Sequence, residues 1–145
     1  LECPYVKRHY GSNNMQTTQK FAKSKNVIWI TVISSAEGKQ GYIQPNDALN
    51  TFASFGSFPD HILIDENGDL GKKFNAKTTP HIFIADKNKN IVYQGAIDDA
   101  GGSRFWTTDL NQSTNFVKKV VNDIKSNKPL SVSKTRPYGC SVKYG

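Results

Sequence analysis

The sequence predicts an α/β domain with a central mixed β-sheet flanked by helices. Three observations carry that prediction. Apolar, β-branched runs at residues 27–33, 61–65 and 81–85 alternate with helical patterns, as in parallel strand–helix units. The run Ile91-Val92-Tyr93 follows the last of these across the polar turn Lys87-Asn88-Lys89-Asn90, which makes the final pair an antiparallel hairpin. Residues 111–125 then place Phe116, Val117, Val120, Val121 and Ile124 on one face of an amphipathic helix.

Taken in order, the first expected element is a strand ahead of Cys3. It is absent from the sequence, which begins two residues before that cysteine, and we expect the natural chain to start earlier. Pro4 suits the first position of a helix because its missing N–H is not needed there. That helix runs to about Tyr10, with Gly11 as its C-cap, and Ser12-Asn13-Asn14 offers N-caps for a second helical stretch over residues 15–24. The two are either one helix kinked at Gly11 or two short ones. Residues 27–33 read as a strand buried on both faces, inside a parallel sheet. The polar loop 34–44 follows, and α/β proteins place their sites at such carboxyl ends. Residues 45–55 read as a short amphipathic helix with Ala48, Leu49, Phe52 and Ala53 inward. His61 to Asp65 is a second buried strand, Asn67-Gly68 a turn, and Asp69 the cap of a short helix bearing Leu70 and Phe74. Pro80 leads directly into the next strand although proline removes a ladder donor, so it requires a special reason. We expect residues 1–130 to form the domain and residues 131–145 a polar tail.

At 145 residues, the chain is long enough for one core and too short for two comfortable ones. The net charge is +7, but Lys7-Arg8, Lys72-Lys73 and Lys118-Lys119 are scattered and no RNA-binding aromatic motif accompanies them. This argues for a solvated basic surface and against nucleic acid as the partner. No apolar run reaches membrane-spanning length. No leader is visible, and localisation is left open because the start is expected to be missing. The glycine loop 38–41 lacks the Lys-Ser/Thr ending of a phosphate loop, which argues against nucleotide binding there. Nothing in the sequence calls for a cofactor.

The chemistry centres on Cys3. A cysteine at a helix start lies beside unsatisfied backbone N–H groups and partial positive charge, which favour thiolate over thiol. The only other cysteine, Cys140, is 137 positions away, and neither has metal-ligand spacing, which argues against a zinc site. Cys140 is either a resolving cysteine in a tail that folds back, a surface thiol, or a structural residue. His9 lies about 240° round the helix from Cys3 and reads as a surface residue. His61 reads as structural. His81 follows Pro80 and reads first as a strand-entry histidine with a satisfied hydrogen bond, second as a general base. Trp29 is assigned to the core and Trp106 to a cover, with Phe105-Trp106 as an alternative groove cap. Asp98-Asp99 reads as a solvated turn.

The element order, with Glu2-Cys3-Pro4-Tyr5-Val6 and Tyr10, Ser34-Ser35, Gly38-Lys39-Gln40-Gly41-Tyr42, Asp65-Glu66-Asn67-Gly68, Thr78-Thr79-Pro80-His81, Gln94-Gly95-Ala96-Ile97-Asp98-Asp99 and Tyr138-Gly139-Cys140-Ser141-Val142-Lys143-Tyr144, resembles the thioredoxin-like superfamily. Within it, the chain is most similar to the redoxin, AhpC/TSA-type or peroxiredoxin-like branch. The resemblance implies a thioredoxin fold, a cis Thr79-Pro80 bond, and a Thr79 backbone beside the nucleophilic sulfur that pairs with an extended substrate. The chain departs from thioredoxin in one respect: Val6 stands where a dithiol enzyme carries its second cysteine. A dithiol enzyme uses that sulfur to resolve its mixed disulfide, so this is a single-cysteine Cys-Pro-x-Val site.

The expected function is a thiol-dependent oxidoreductase with Cys3 as nucleophile, Cys140 as the possible resolving thiol, and Thr79 and Pro80 positioning substrate. Pro4, Val6 and His81 are the remaining candidates near the site. The partners would be a protein or small-molecule disulfide, or a peroxide, together with an external thiol reductant. The alternative is a non-catalytic binding module on the same fold.

Overall fold

A computed structural model describes residues 1–145, except for the Ser103 side chain. Two helices open the chain, α1 (Pro4–Gly11) and α2 (Asn14–Ser24). They are separate: Asn13 takes the left-handed conformation at φ 63°, which asparagine tolerates better than other non-glycine residues. Gly11 is therefore the last helical residue and Ser12 the C-cap, one step later than expected. The remaining elements are β1 (Ile30–Ile33), α3 (Ala48–Ser54), β2 (His61–Ile64), α4 (Asp69–Lys73), β3 (Thr78–Thr79), β4 (Ile82–Ala85), β5 (Ile91–Gly95), α5 (Phe116–Lys125) and β6 (Cys140–Ser141). Short 3-10 turns precede α3 and α5.

The architecture is α/β, but the described strands pair in three two-stranded ladders rather than one continuous sheet. β1 and β2 are parallel, from Ile30 opposite His61 to Ile33 opposite Ile64. β4 and β5 form the expected antiparallel hairpin, from Ile82 opposite Gly95 to Ala85 opposite Ile91, with an irregularity between Ile84 and Ala85. β3 and β6 are antiparallel. Among the described strands, none links the β1–β2 ladder to the β4–β5 ladder.

The largest core cluster joins α1, α2, β4, β5 and α5 through Val6, Tyr10, Met15, Ile84, Tyr93, Ile97, Val117, Val120 and Val121. α5 forms because Asn115 caps it, accepting the Lys118 N–H at 3.0 Å, and because its valines recur at helical spacing. A second cluster joins Ile33, Ile43, Ala48 and Phe52.

Two expectations of burial are corrected. Neither residues 27–33 nor the expected second buried strand, His61 to Asp65, is buried on both faces: Ile28, Ile30 and Val32 are exposed, as are His61 and Leu63 opposite Ile30 and Val32. Trp29 and Ile33 on the other face pack into the two clusters. A continuous apolar run carries no period, so it cannot say which face the fold covers. In α3, Ala48 and Phe52 are buried while Leu49 is exposed and Ala53 is exposed as well. The helix thus presents a narrower stripe than its sequence suggests.

Residues 131–145 run back across the domain. Thr135 N–H donates to Gln94 O at 3.1 Å, Val142 N–H to Lys77 O at 3.3 Å, and Lys143 O accepts from Ala36 N–H at 3.0 Å. The Tyr144 hydroxyl donates to Ala76 O at 2.8 Å. A Cβ on Gly71 would lie 2.7 Å from that hydroxyl oxygen, so glycine there makes room for the ring. No helix among the described residues is long and apolar enough to cross a membrane.

Candidate thiol site

Cys3 is the N-cap of α1, in extended conformation, and Pro4 occupies the first helical position. The Cys3 carbonyl accepts the Lys7 N–H at 3.0 Å, closing the first turn. The side chain is 5% exposed. Its Sγ donates to the Thr79 carbonyl oxygen at 3.3 Å, and the Thr79-Pro80 bond is cis. Residues 76 positions apart thus meet at one helix end. On the other side, the Glu2 carboxylate accepts the Gly41 N–H at 3.2 Å, tying the glycine loop to the site.

Cys140 is the third member. It lies opposite Thr79 in the β3–β6 ladder, with Ser141 opposite Thr78. Its side chain packs against the cluster that contains Cys3. Desolvation, then the hydrogen bond with Cys3 and the charge of Cys3, push the Cys140 thiol up to about 11, while Lys143 and the Tyr5 N–H pull it down. Both thiols are free. Gly139 makes the register possible: it has φ 145°, and a Cβ there would clash with the carbonyl of Thr79. In Cys3→Ser the Cys140 pKa should fall part of the way from about 11, because burial remains while the Cys3 contribution is lost. Thiolate absorbance against pH measures this.

The other candidates separate. Val6 is buried in the main core, and Pro4 is exposed. His81 lies against the Phe83 ring at 4.4 Å and its Nδ1 accepts the Lys77 N–H at 3.1 Å. It holds the turn into β4, with burial and then the Lys77 charge depressing its pKa. Among the described residues no group of three His, Cys, Asp or Glu side chains is placed to hold a metal ion.

Neither a protein-family model nor any curated protein matches the sequence. Solved structures do. The chain is similar to an uncharacterized conserved protein from Geobacillus kaustophilus, with TM-score 0.83 and 20% identity, over 100% of this chain and 73% of that one. It is also similar to a hypothetical protein from Sinorhizobium meliloti 1021, with TM-score 0.77 and 19% identity, over 99% of this chain and 74% of that one. At such identities the likeness concerns the fold alone.

Two residues read as solvent-facing belong to a buried polar cluster beside the thiols. His9 and Asp98 are 0% and 1% exposed. Asn14 Nδ2 donates to His9 Nδ1 at 3.0 Å and to Asp98 Oδ2 at 3.2 Å. That leaves the His9 proton on Nε2, which faces the Tyr138 hydroxyl at 3.4 Å, and Tyr138 donates in turn to Asp98 Oδ1. Burial, then the Arg8 charge, lowers the His9 pKa to about 4. Desolvation raises that of Asp98, against the hydrogen bonds from Tyr138, Ala100 N–H and Asn14. Phe105 of the late loop covers His9, with ring centroids 5.6 Å apart. Phe105 is fully buried and Trp106 exposed. Arg8 lies over both rings at 5.1 and 5.8 Å and donates to Thr108 O at 2.8 Å. The cluster joins positions 9, 14, 98 and 138, and no local spacing signals it.

Proposed function

We propose that the chain is a thiol-dependent oxidoreductase of the thioredoxin-like superfamily, in its redoxin or peroxiredoxin-like branch, with Cys3 as nucleophile and Cys140 as resolving thiol. One observation carries the reading: the Cys3 sulfur, at the start of α1, meets the carbonyl of Thr79, the residue that Cys140 faces in the β3–β6 ladder. The helix end places free N–H groups and partial positive charge beside the Cys3 sulfur. Cys140 answers the chemical gap left by Val6.

With a disulfide substrate, the Cys3 thiolate attacks one sulfur. A mixed disulfide forms and the other substrate sulfur leaves as a thiolate. Cys140, giving up its proton, then attacks the Cys3 sulfur; the Cys3–Cys140 bond forms and the second substrate thiolate departs. The two cysteines have lost two electrons and the substrate has gained them. With a peroxide, Cys3 attacks the O–O bond and becomes a sulfenic acid as an alcohol or water leaves. Condensation with Cys140 then expels water and gives the same disulfide. An external thiol reductant returns both cysteines to thiols.

The test is insulin reduction and hydrogen peroxide consumption assayed side by side, with mass mapping of the oxidised protein. The expected result is turnover in at least one assay, a Cys3–Cys140 disulfide after oxidation, and loss of turnover by about 10³-fold or more in Cys3→Ser, as for removal of a covalent nucleophile. Turnover unchanged in Cys3→Ser would overturn the proposal. The burial of Cys3 beneath the chain's own C-terminal strand favours the second reading, a binding module without turnover. Absence of activity in both assays, with no Cys3–Cys140 disulfide, decides for it.

A further inference from the structure

The β3–β6 ladder is two residues long, too short to be stable alone. Something else must hold Cys140 at Cys3. Thr135 anchors the segment upstream, its Oγ1 accepting the Ala96 N–H at 2.9 Å. Tyr144 anchors it downstream on Ala76. Between them, one side chain reaches into the protein beside the cysteine itself. Tyr138 is separated from Cys140 by Gly139 alone, and its hydroxyl enters the buried cluster of His9, Asn14 and Asp98. Its ring packs against Phe105 and Tyr5, centroids 5.3 and 6.0 Å away.

We propose that Tyr138 and Asp98 are positioning residues for the thiol pair: their buried hydrogen bond, supported by His9 and Asn14, latches the C-terminal strand in the register that presents Cys140 to Cys3. This deepens the reading of Cys140 as the resolving thiol and rests on it for its meaning in turnover. The latch fits the surroundings. Asp98 is 1% exposed and accepts hydrogen bonds from the Tyr138 hydroxyl, Asn14 and the Ala100 N–H. A buried carboxylate with its partners removed is costly, so Asp98 holds the Tyr138 hydroxyl strongly. The latch also closes the site. The strand edge at Thr78–Thr79 is occupied by Cys140–Ser141, and a protein substrate that pairs there must first displace it.

Two measurements on Tyr138→Phe and Asp98→Asn test the proposal. The first is the rate at which a maleimide alkylates Cys140 in a Cys3→Ser background, where no redox chemistry of the pair is possible. We expect a rise of about tenfold for either variant, as for loss of a hydrogen bond to a charged group. The second is the equilibrium constant of the Cys3–Cys140 disulfide against a glutathione buffer, expected to fall by a similar factor, while the single-turnover rate of Cys3 with a small aromatic disulfide holds or rises. Tyr138→Phe keeps the ring packing, so its fold can be checked by circular dichroism and thermal midpoint. Unchanged alkylation in both folded variants would overturn the latch, whatever the outcome of the turnover assays. A fall in the Cys3 single-turnover rate equal to the fall in the disulfide constant would also overturn it, by pointing to general loosening of the site. Latched alkylation kinetics in a protein without turnover would instead sink the catalytic reading and leave the latch standing.

Discussion

Replacing Cys140 with serine should stop repeated turnover while leaving the first attack intact. Cys140 lies opposite Thr79, whose carbonyl accepts the Cys3 Sγ hydrogen bond, so in the proposed reaction resolution would be an intramolecular step. Effective molarities for well-oriented partners exceed those of any free thiol by orders of magnitude. Without Cys140, a mixed disulfide or a sulfenic acid on Cys3 must wait for an external thiol in the millimolar range. Insulin turnover by Cys140→Ser should therefore fall by about a hundredfold or more, with the Cys3 adduct accumulating in stoichiometric amount. Mass spectrometry of the quenched reaction measures that adduct, and a small-disulfide burst measures the first step. Insulin turnover close to that of the parent protein would show that Cys140 does not resolve Cys3.

Acid should weaken the fold through His9. Its folded pKa is near 4 against an ordinary 6.5, chiefly because it is buried, with the Arg8 charge adding to the effect. The geometry agrees: Nδ1 accepts from Asn14 and cannot carry a proton there without losing that bond. The unfolded chain therefore binds a proton at this histidine at higher pH than the folded one. The stability is fully present above about 6.5 and is lost as pH falls toward 4, by about 3 kcal/mol in all at 1.4 kcal/mol per unit. Asp98, joined to the same cluster, works in the opposite direction, since its folded pKa is raised and its protonation as pH falls relieves a buried charge. Tyr138 stays protonated throughout, its pKa being raised as well, by burial and then by its bond to Asp98. Urea midpoints between pH 7 and 4 should thus fall for the parent protein, and the fall should be shallower in His9→Gln. A His9 ring titrating near 6.5 by NMR in the folded protein would contradict the argument.

The helix that begins at Pro4, the hairpin of β4 and β5 and the amphipathic α5 were legible because each depends on residues near one another: a proline at the first helical position, a polar turn, a cap and a helical stripe. Cys3 was legible for the same reason, being the last residue before a helix. The order of Thr79, Pro80 and β4 was equally plain, and the resemblance anticipated the cis bond that is present.

Tertiary structure decided the rest. Which face of residues 27–33 is covered depends on neighbours that a continuous apolar run does not specify, and Ile28, Ile30 and Val32 turn outward. His9 and Asp98 have the composition of surface residues; they are buried because Asn14 and Tyr138, from distant parts of the chain, satisfy their hydrogen bonds. Helix periodicity and turn chemistry are local and can be read directly. The meeting of Cys3 with Cys140 cannot, because it requires Gly139 to pass against the Thr79 carbonyl and Tyr138 to reach Asp98. The place of Cys3 at a helix start was therefore written in six consecutive residues, whereas the place of Cys140 opposite Thr79 was decided only by the return of the C-terminal strand to β3.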